Sequence, residues 1–336
     1  MELYDVSNVL ARSKDSNFGT PQSLMENLLE RDKNTHTVEG EEVSAFGNGS
    51  LQAVIDNRTY GLNDWSFTQL CRLSAAPPSF IRRLSFGLAA ASLNYTRKGF
   101  RDNKTVALVL NTPEGEVLRA INSTVYSRYS DSQLLGEVME HSTTFTPKGL
   151  YSSDRDVFLF YVNEEDRIEV DGENLGRGFM VWNSEVGSKS FGFQTFLYNY
   201  ICDNHIVFGT KEVFKVNRRH VGDMSIVRKK LIEGINSLRD RKKAQRETDI
   251  VREAMRTIYA EDNESAIERL RSRRIGLSKK GAEEVVKAAH EHPGAGAGLT
   301  VWGIAQGITA IAKDIPYMDD RLDFESKAGK VLAVIH

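Results

Sequence analysis

The chain has 336 residues, 40% hydrophobic and 27% charged, with a formal net charge of −2. That balance excludes a globally disordered polymer, and the length suggests one large or two modest domains. Cys71 and Cys202 are the only cysteines, too few for a disulfide framework, and no apolar run approaches the roughly eighteen residues of a membrane span.

A reducing, cytoplasmic setting without membrane contact is therefore expected. The charge is uneven: residues 1–60 hold five Lys/Arg against ten Asp/Glu, whereas residues 211–246 hold twelve Lys/Arg against four Asp/Glu. Such asymmetry hints at local polyanion contact.

Residues 1–58 are polar and rich in turn formers (FGTPQS, RDKNTHTVEGEE, FGNGS), which reads as an N-terminal arm. Asn63 or Asp64 can cap a helix carrying Trp65, Leu70 and Leu73, and Pro77-Pro78 opens another with Phe80, Ile81, Leu84 and Leu88 on one face. TVALVLN (105–111) and EVLRAIN (116–122), joined by Thr112-Pro113-Glu114-Gly115, predict a hairpin. Residues 131–141 predict a helix capped by Asp131, with Leu134, Leu135 and Val138 inward.

Residues 156–220 alternate or run apolar between Gly and Asn/Asp breaks, as a mostly antiparallel sheet requires. Beyond Asp223 the period becomes helical: Ile226, Leu231, Ile235 and Leu238, then Ile250, Val251, Ala254, Met255 and Ile258. Ser278 caps residues 279–291, and the stretch from His292-Pro293-Gly294 to Gly298 breaks the chain before a last apolar helix near 299–313. The fold class is α+β, a mostly antiparallel central sheet with a helical C-terminal portion. The expected division is a polar arm over 1–58, a sheet-centred α+β domain over 59–222 and a helical region over 223–336 packed on or beside it.

The basic stretch offers Arg218, Arg219, Arg228, Lys229, Lys230, Lys242 and Lys243 as phosphate contacts, with Tyr198 and Tyr200 as candidate base stackers. The competing reading is a solvated face of mixed sign, since Glu233, Asp240 and Glu247 are interspersed. Asn183, Ser184 and Gly187 form a turn between strand-like runs, whose backbone amides are suited to an anion if they are exposed.

Cys202, His205 and His220 have zinc-ligand chemistry but lack the fourth ligand and the paired spacing of a structural site, so no metal is expected. The chain contains no G-x-S-x-G, P-loop, H-E-x-x-H or Rossmann fingerprint. Gly294, Gly296 and Gly298 read as a hinge, with no strand before them and no lysine close behind. Glu164-Glu165-Asp166 and Asp319-Asp320 sit beside turn residues, where carboxylates are ordinarily solvated. No catalytic residue and no cofactor is assigned.

One stretch carries a family resemblance. MVWNSEVGSKSFGFQTFLYNYICDNHIVFG, followed by FKVNRRHVG, is similar to the phage/plasmid-like protein family built on domain of unknown function 932. That family shows an Asn-Ser-Glu-x-Gly turn, a strand, a Cys-x-Asn segment and an Arg-His-x-Gly end. LNDWSFTQLCRLSAAPPSFIRRL resembles its early helix pair, LRAINSTVYSRYSDSQLLGEV its Ser-x-x-Tyr segment before a helix, and LTVWGIAQGITAIAKDI its late Trp-Gly helix. The likeness spans roughly residues 60–335. It departs at Cys202-Asp203-Asn204-His205, where the family has Cys-x-Asn-Gly, and in lacking an aspartate-histidine ending to the late helix.

The resemblance implies a phage, prophage or plasmid setting, with host cytoplasm as the location and no settled activity. The leading expectation is a non-catalytic nucleic-acid-binding protein serving recombination, replication or single-stranded DNA handling, assembled as a homo-oligomer. The alternative is a counter-defence or regulatory protein whose sheet binds a host protein or a small nucleotide through a pocket or apolar patch. A metal-dependent nuclease would need carboxylates converging from distant elements.

Overall fold

The computed structural model describes residues 11–96, 104–200, 204–206, 215–238, 241–294 and 296–335. In chain order, β1 (Ser16–Asn17) precedes α1 (Pro21–Lys33), followed by β2 (Thr35–Gly40), β3 (Val43–Gly47), β4 (Leu51–Ile55) and β5 (Arg58–Leu62). Helices α2 (Asp64–Leu73), α3 (Pro78–Ile81) and α4 (Phe86–Thr96) lead to β6 (Thr105–Thr112), β7 (Gly115–Asn122) and α5 (Asp131–His141). Then come β8 (Phe145–Ser152), β9 (Val157–Val170), β10 (Glu173–Asn183), β11 (Phe191–Asn199), β12 (Asn204–Ile206) and β13 (Lys215–Arg218). The chain ends in α6 (Ser225–Ser237), α7 (Arg241–Arg256), α8 (Asn263–Arg271), α9 (Lys279–Glu291), α10 (Val301–Ala312) and α11 (Met318–Leu332). The fold is α+β, and no helix among the described residues is long and apolar enough to cross a membrane.

The strands form two sheets. The order β1-β8-β9-β10-β11-β12, with β13 also on β11, is antiparallel throughout. The order β2-β6-β7-β5-β4-β3 is antiparallel except at the parallel β5–β7 pair. The hairpin expected at 105–122 is present, but it joins strands of the N-terminal segment rather than the central sheet.

The polar arm expected over residues 1–58 is not what the described part of that segment forms. Helix α1 buries Leu24 and Leu28 completely, in one core with Leu134, Leu135 and Val138 of α5. Thr20 caps α1 by accepting from the Ser23 amide, with Pro21 opening the first turn. Val43 and Ala45, then Leu51, Ala53 and Ile55, point into the second sheet's core with a period of two. The tight turn between β4 and β5 is made by Asp56 and Asn57 at φ 47° and 66°, a left-handed pair that suits a two-residue hairpin.

Helix α2 starts at Asn63, whose side chain accepts from the Ser66 amide at 2.8 Å while Ser66 Oγ accepts from the Asn63 amide at 3.1 Å. The apolar face expected from Phe80 to Leu88 is broken, because the chain turns between α3 and α4. Ile81 is buried, whereas Phe80 and Leu88 are 54% and 61% exposed. Ser130, not Asp131, caps α5, accepting from the Gln133 amide at 3.2 Å, which frees the Asp131 carboxylate for other partners.

Phe179, Val181, Phe191 and Phe193 on one face of the first sheet pack against α1, α5 and α6. Phe158, Phe160, Met180 and Phe196 on its other face meet Met318 and Leu322 of α11. The far tip of the β9–β10 hairpin supplies Ile168, Val170 and Leu175 to a third core built by α7 to α11. Helix α6 keeps Leu231, Ile235 and Leu238 inside as expected, but Ile226 is exposed, as is Ile258 beyond α7. The helix near 299–313 is followed by a further one, α11.

Candidate functional site

The Asn183–Gly187 turn at the end of β10 is a buried hub. Asn183 Nδ2 donates to the Tyr129 carbonyl and to Asp131 Oδ1, each at 2.7 Å. Ser184 Oγ donates to the Arg155 carbonyl at 2.6 Å and accepts from the Ser188 amide at 2.9 Å. Trp65 Nε1 donates to the Val186 carbonyl and Tyr126 OH to the Ser184 carbonyl, both at 2.8 Å. The Gly187 and Ser188 amides are turned back onto Ser184, so the anion-loop reading finds these donors already occupied. Gly187 itself has φ 79°, a conformation glycine adopts without strain.

Glu185, 1% exposed, is the electrostatic centre of that hub. Arg119, Arg128 and Arg31 approach its carboxylate at 2.6, 2.7 and 3.0 Å. Arg31 also pairs with Asp131 at 2.6 Å, and Arg128 with Asp32 at 2.8 Å. Burial alone would raise the pKa of Glu185, but the three guanidinium groups outweigh it and hold the carboxyl down at about 2. Burial pushes Asp131 up, and the Glu185 charge adds to the shift. Arg31, Arg119 and Arg128 thus meet Glu185, Asp131 and Asp32 in one buried charge cluster whose signs balance.

The hub gathers segments that are remote in sequence. The Tyr126 and His220 rings stack at 5.3 Å and 15°, and the Ser127 amide donates to the His220 carbonyl at 2.9 Å. Burial lowers the basicity of His220, opposed by its contact with the Ser127 carbonyl. Its role is to pin the start of the basic stretch. Cys202 and the side chain of His205 lie outside the described residues, and among those described no group of three or more His, Cys, Asp or Glu could hold a metal ion.

The candidate phosphate contacts divide. Arg218 donates to the Asp223 carbonyl at 2.9 Å, Arg228 pairs with Glu140 at 3.3 Å and Lys230 with Glu233 at 2.8 Å. Arg219 and Lys229 are exposed and make no ion pair among the described residues. Lys242 and Lys243 belong to α7, with side chains outside the description. Tyr198 is 6% exposed and packed edge-on against Tyr200 at 5.0 Å. Tyr200 OH donates to Glu164 at 2.8 Å while the Arg167 guanidinium lies 4.3 Å from its ring centroid. The expectation that these two rings stack on bases therefore fails for Tyr198, which is sealed inside the sheet packing, and meets an occupied face on Tyr200.

A cleft unmarked in the sequence opens on the sheet face toward α11. Phe158, Trp182, Gly192 and Asn217 stand in one row across β9, β10, β11 and β13. A Cβ on Gly192 would fall 1.9 Å from Trp182 Cζ2, so the indole lies across the glycine backbone. Between this row and α11 is a cavity of about 230 Å³, lined also by Lys189, Gln194, Leu322 and Asp323. The WNSEVGSK stretch holds both ends of this arrangement, hub and cleft, but only strand register shows that Gly192 makes room for Trp182. No protein-family model, curated protein or solved structure matches the chain.

Proposed function

We propose that the chain is a non-catalytic nucleic-acid-binding protein that contacts phosphates through the surface around Arg219 and Lys229. The observation that carries this reading is their lack of an internal ion-pair partner among the described residues. Glu140 and Glu233 are engaged by Arg228 and Lys230, and Asp223 accepts from the Ser225 amide and hydroxyl. Among the described residues these acids are thus engaged, Glu233 interacting with Lys229 as well as Lys230, and the two cations stand at the surface without a close ion pair. Exposed, unpaired cations are the groups that release counterions from a polyphosphate.

The resemblance to a family found in phages, prophages and plasmids supports a role in recombination, replication or single-strand handling. The test is anisotropy of a labelled single-stranded oligonucleotide titrated at several salt concentrations. Removing one phosphate-binding cation should flatten the log–log salt dependence by about 0.7, so Arg219→Glu with Lys229→Glu should weaken binding and lower the slope by about 1.4. An unchanged slope in the double variant would overturn the proposal.

A further inference from the structure

We infer that the sheet cleft is a binding site for a nucleobase carrying a phosphate, received against the Trp182 indole. The inference stands apart from the Arg219–Lys229 surface and deepens the nucleic-acid reading by naming what one pocket accepts.

Polar side chains line the cleft. Gln194 is 7% exposed, yet neither its amide nor that of Asn217 has a side-chain hydrogen bond among the described residues, and Lys189 makes no ion pair there. The two amides and the ammonium that line the cleft are within reach of solvent there and so keep their hydrogen-bonding capacity for a ligand.

Their chemistry selects the occupant. Trp182 is partly exposed, and an indole face stacks on flat heterocycles. Gln194 and Asn217 each present a donor and an acceptor from one planar group, the pattern that reads the edge of a base. Lys189, 5.9 Å from the Phe158 ring centroid, is a mobile point charge suited to a phosphate. Asp323 on α11 faces the same space, so the framing charges are one positive and one negative, which favours a single phosphate over a triphosphate. A volume of about 230 Å³ lies below the roughly 300–1,000 Å³ of sites for drug-sized ligands, which matches one nucleotide unit.

Gly192 is what makes the platform. Any side chain there would displace the indole from the strand, because the clash is with rigid ring atoms.

The test exploits the other two tryptophans. Trp65 is 5% exposed and Trp302 fully buried, so a ligand-induced change in emission reports Trp182. Adenosine and cytidine monophosphates, inorganic phosphate and a short oligothymidylate serve as probes. Saturable quenching by a mononucleotide and none by phosphate is the expected result. Lys189→Ala should weaken that binding about tenfold, as removal of a charge-assisted hydrogen bond does. Asn217→Ala, a change at an exposed position, should weaken it severalfold. Gly192→Ala should abolish it, with circular dichroism confirming the fold.

Quenching by the oligonucleotide alone, abolished in Asn217→Ala and Lys189→Ala, would identify the base as part of a strand and uphold the site. Oligonucleotide binding that survives those changes but falls with Arg219→Glu and Lys229→Glu would overturn the cleft and leave the surface reading standing. Absence of saturable quenching by any probe would also overturn it.

Discussion

Asp131 and Glu185 share Arg31, which reaches them at 2.6 and 3.0 Å, yet the fold drives their acidities in opposite directions. Glu185 has three guanidinium neighbours and is held at about 2, below its ordinary value of 4.5. Asp131 is raised by burial and by the Glu185 charge beside it. A lowered carboxyl stabilises the fold above its ordinary range, and that contribution disappears as pH falls through its folded value. A raised carboxyl does the reverse, its contribution being complete below the ordinary value and disappearing as pH rises through the folded one.

Glu185→Gln should therefore cost about 3–5 kcal/mol at neutral pH, since it leaves buried arginines uncompensated. Urea titrations from pH 7 to 2 should show that the variant lacks the part of the acid destabilisation that lies between 4.5 and 2 in the parent protein. Asp131→Asn should be less damaging, and its deficit should shrink as pH rises from about 4 to about 7.

Trp65→Phe tests the tie between α2 and the buried turn. The Val186 carbonyl, which accepts from Trp65 Nε1, would be deprived of its strongest donor, at a cost of about 1–3 kcal/mol. Hydrogen exchange should show faster opening of residues 184–188, while protection of the α9–α10 core stays unchanged.

Helix α6 approaches β11 at a glycine. A Cβ on Gly234 would meet Phe193 Cε1 at 2.4 Å, so Gly234→Ala overpacks the core by about 1–3 kcal/mol. Its better helix propensity returns only about 1 kcal/mol. The expected outcome is a lower melting temperature, measured by calorimetry.

Glu173 joins the hairpin tip to the helical core. Its carboxylate lies 2.7 Å from His292 Nε2 and accepts from Trp302 Nε1 at 3.2 Å and Asn199 Nδ2 at 2.7 Å. Glu173→Ala takes the carboxylate from buried His292 and Trp302, at about 1–3 kcal/mol each, and removes one bond of Asn199. Trp302 emission should shift to the red at lower urea concentrations than the decay of sheet ellipticity, because the helices detach first.

Local signals were readable and remote ones were not. The hairpin at 105–122 and the helix at 131–141 announce themselves through β-branched runs, a Gly-ended turn and the spacing of Leu134, Leu135 and Val138. The strands between 35 and 55 are five or six residues each, and the turn formers around them masked the alternation of Val43 and Ala45. Arg119 lies in a β-rich run that gives no sign of holding an arginine 2% exposed, because its partner Glu185 arrives from another sheet. The cleft is least legible of all: Phe158, Trp182, Gly192 and Asn217 become neighbours only through the pairing of four strands. Of the aromatic residues chosen from the sequence, Tyr198 is buried and Tyr200 is held by Glu164 and Arg167. Trp182, sixteen positions before the first of them, is partly exposed where Tyr198 is buried.

The long β9–β10 hairpin sets a counting rule for the whole molecule. Its near half is pleated into the sheet cores, and its far half delivers Ile168, Val170 and Leu175 to the helices, with one register shift between Gly176 and Arg177. Because side chains alternate along a strand, a one-residue insertion beyond that shift would rotate Ile168 and Val170 into water and turn Arg167 and Glu169 toward the helical core. A matched two-residue lengthening of both strands would preserve facing but lift the helices by one strand repeat. The two halves of the protein are thus geared to each other by parity, and only even changes to the hairpin keep the teeth engaged.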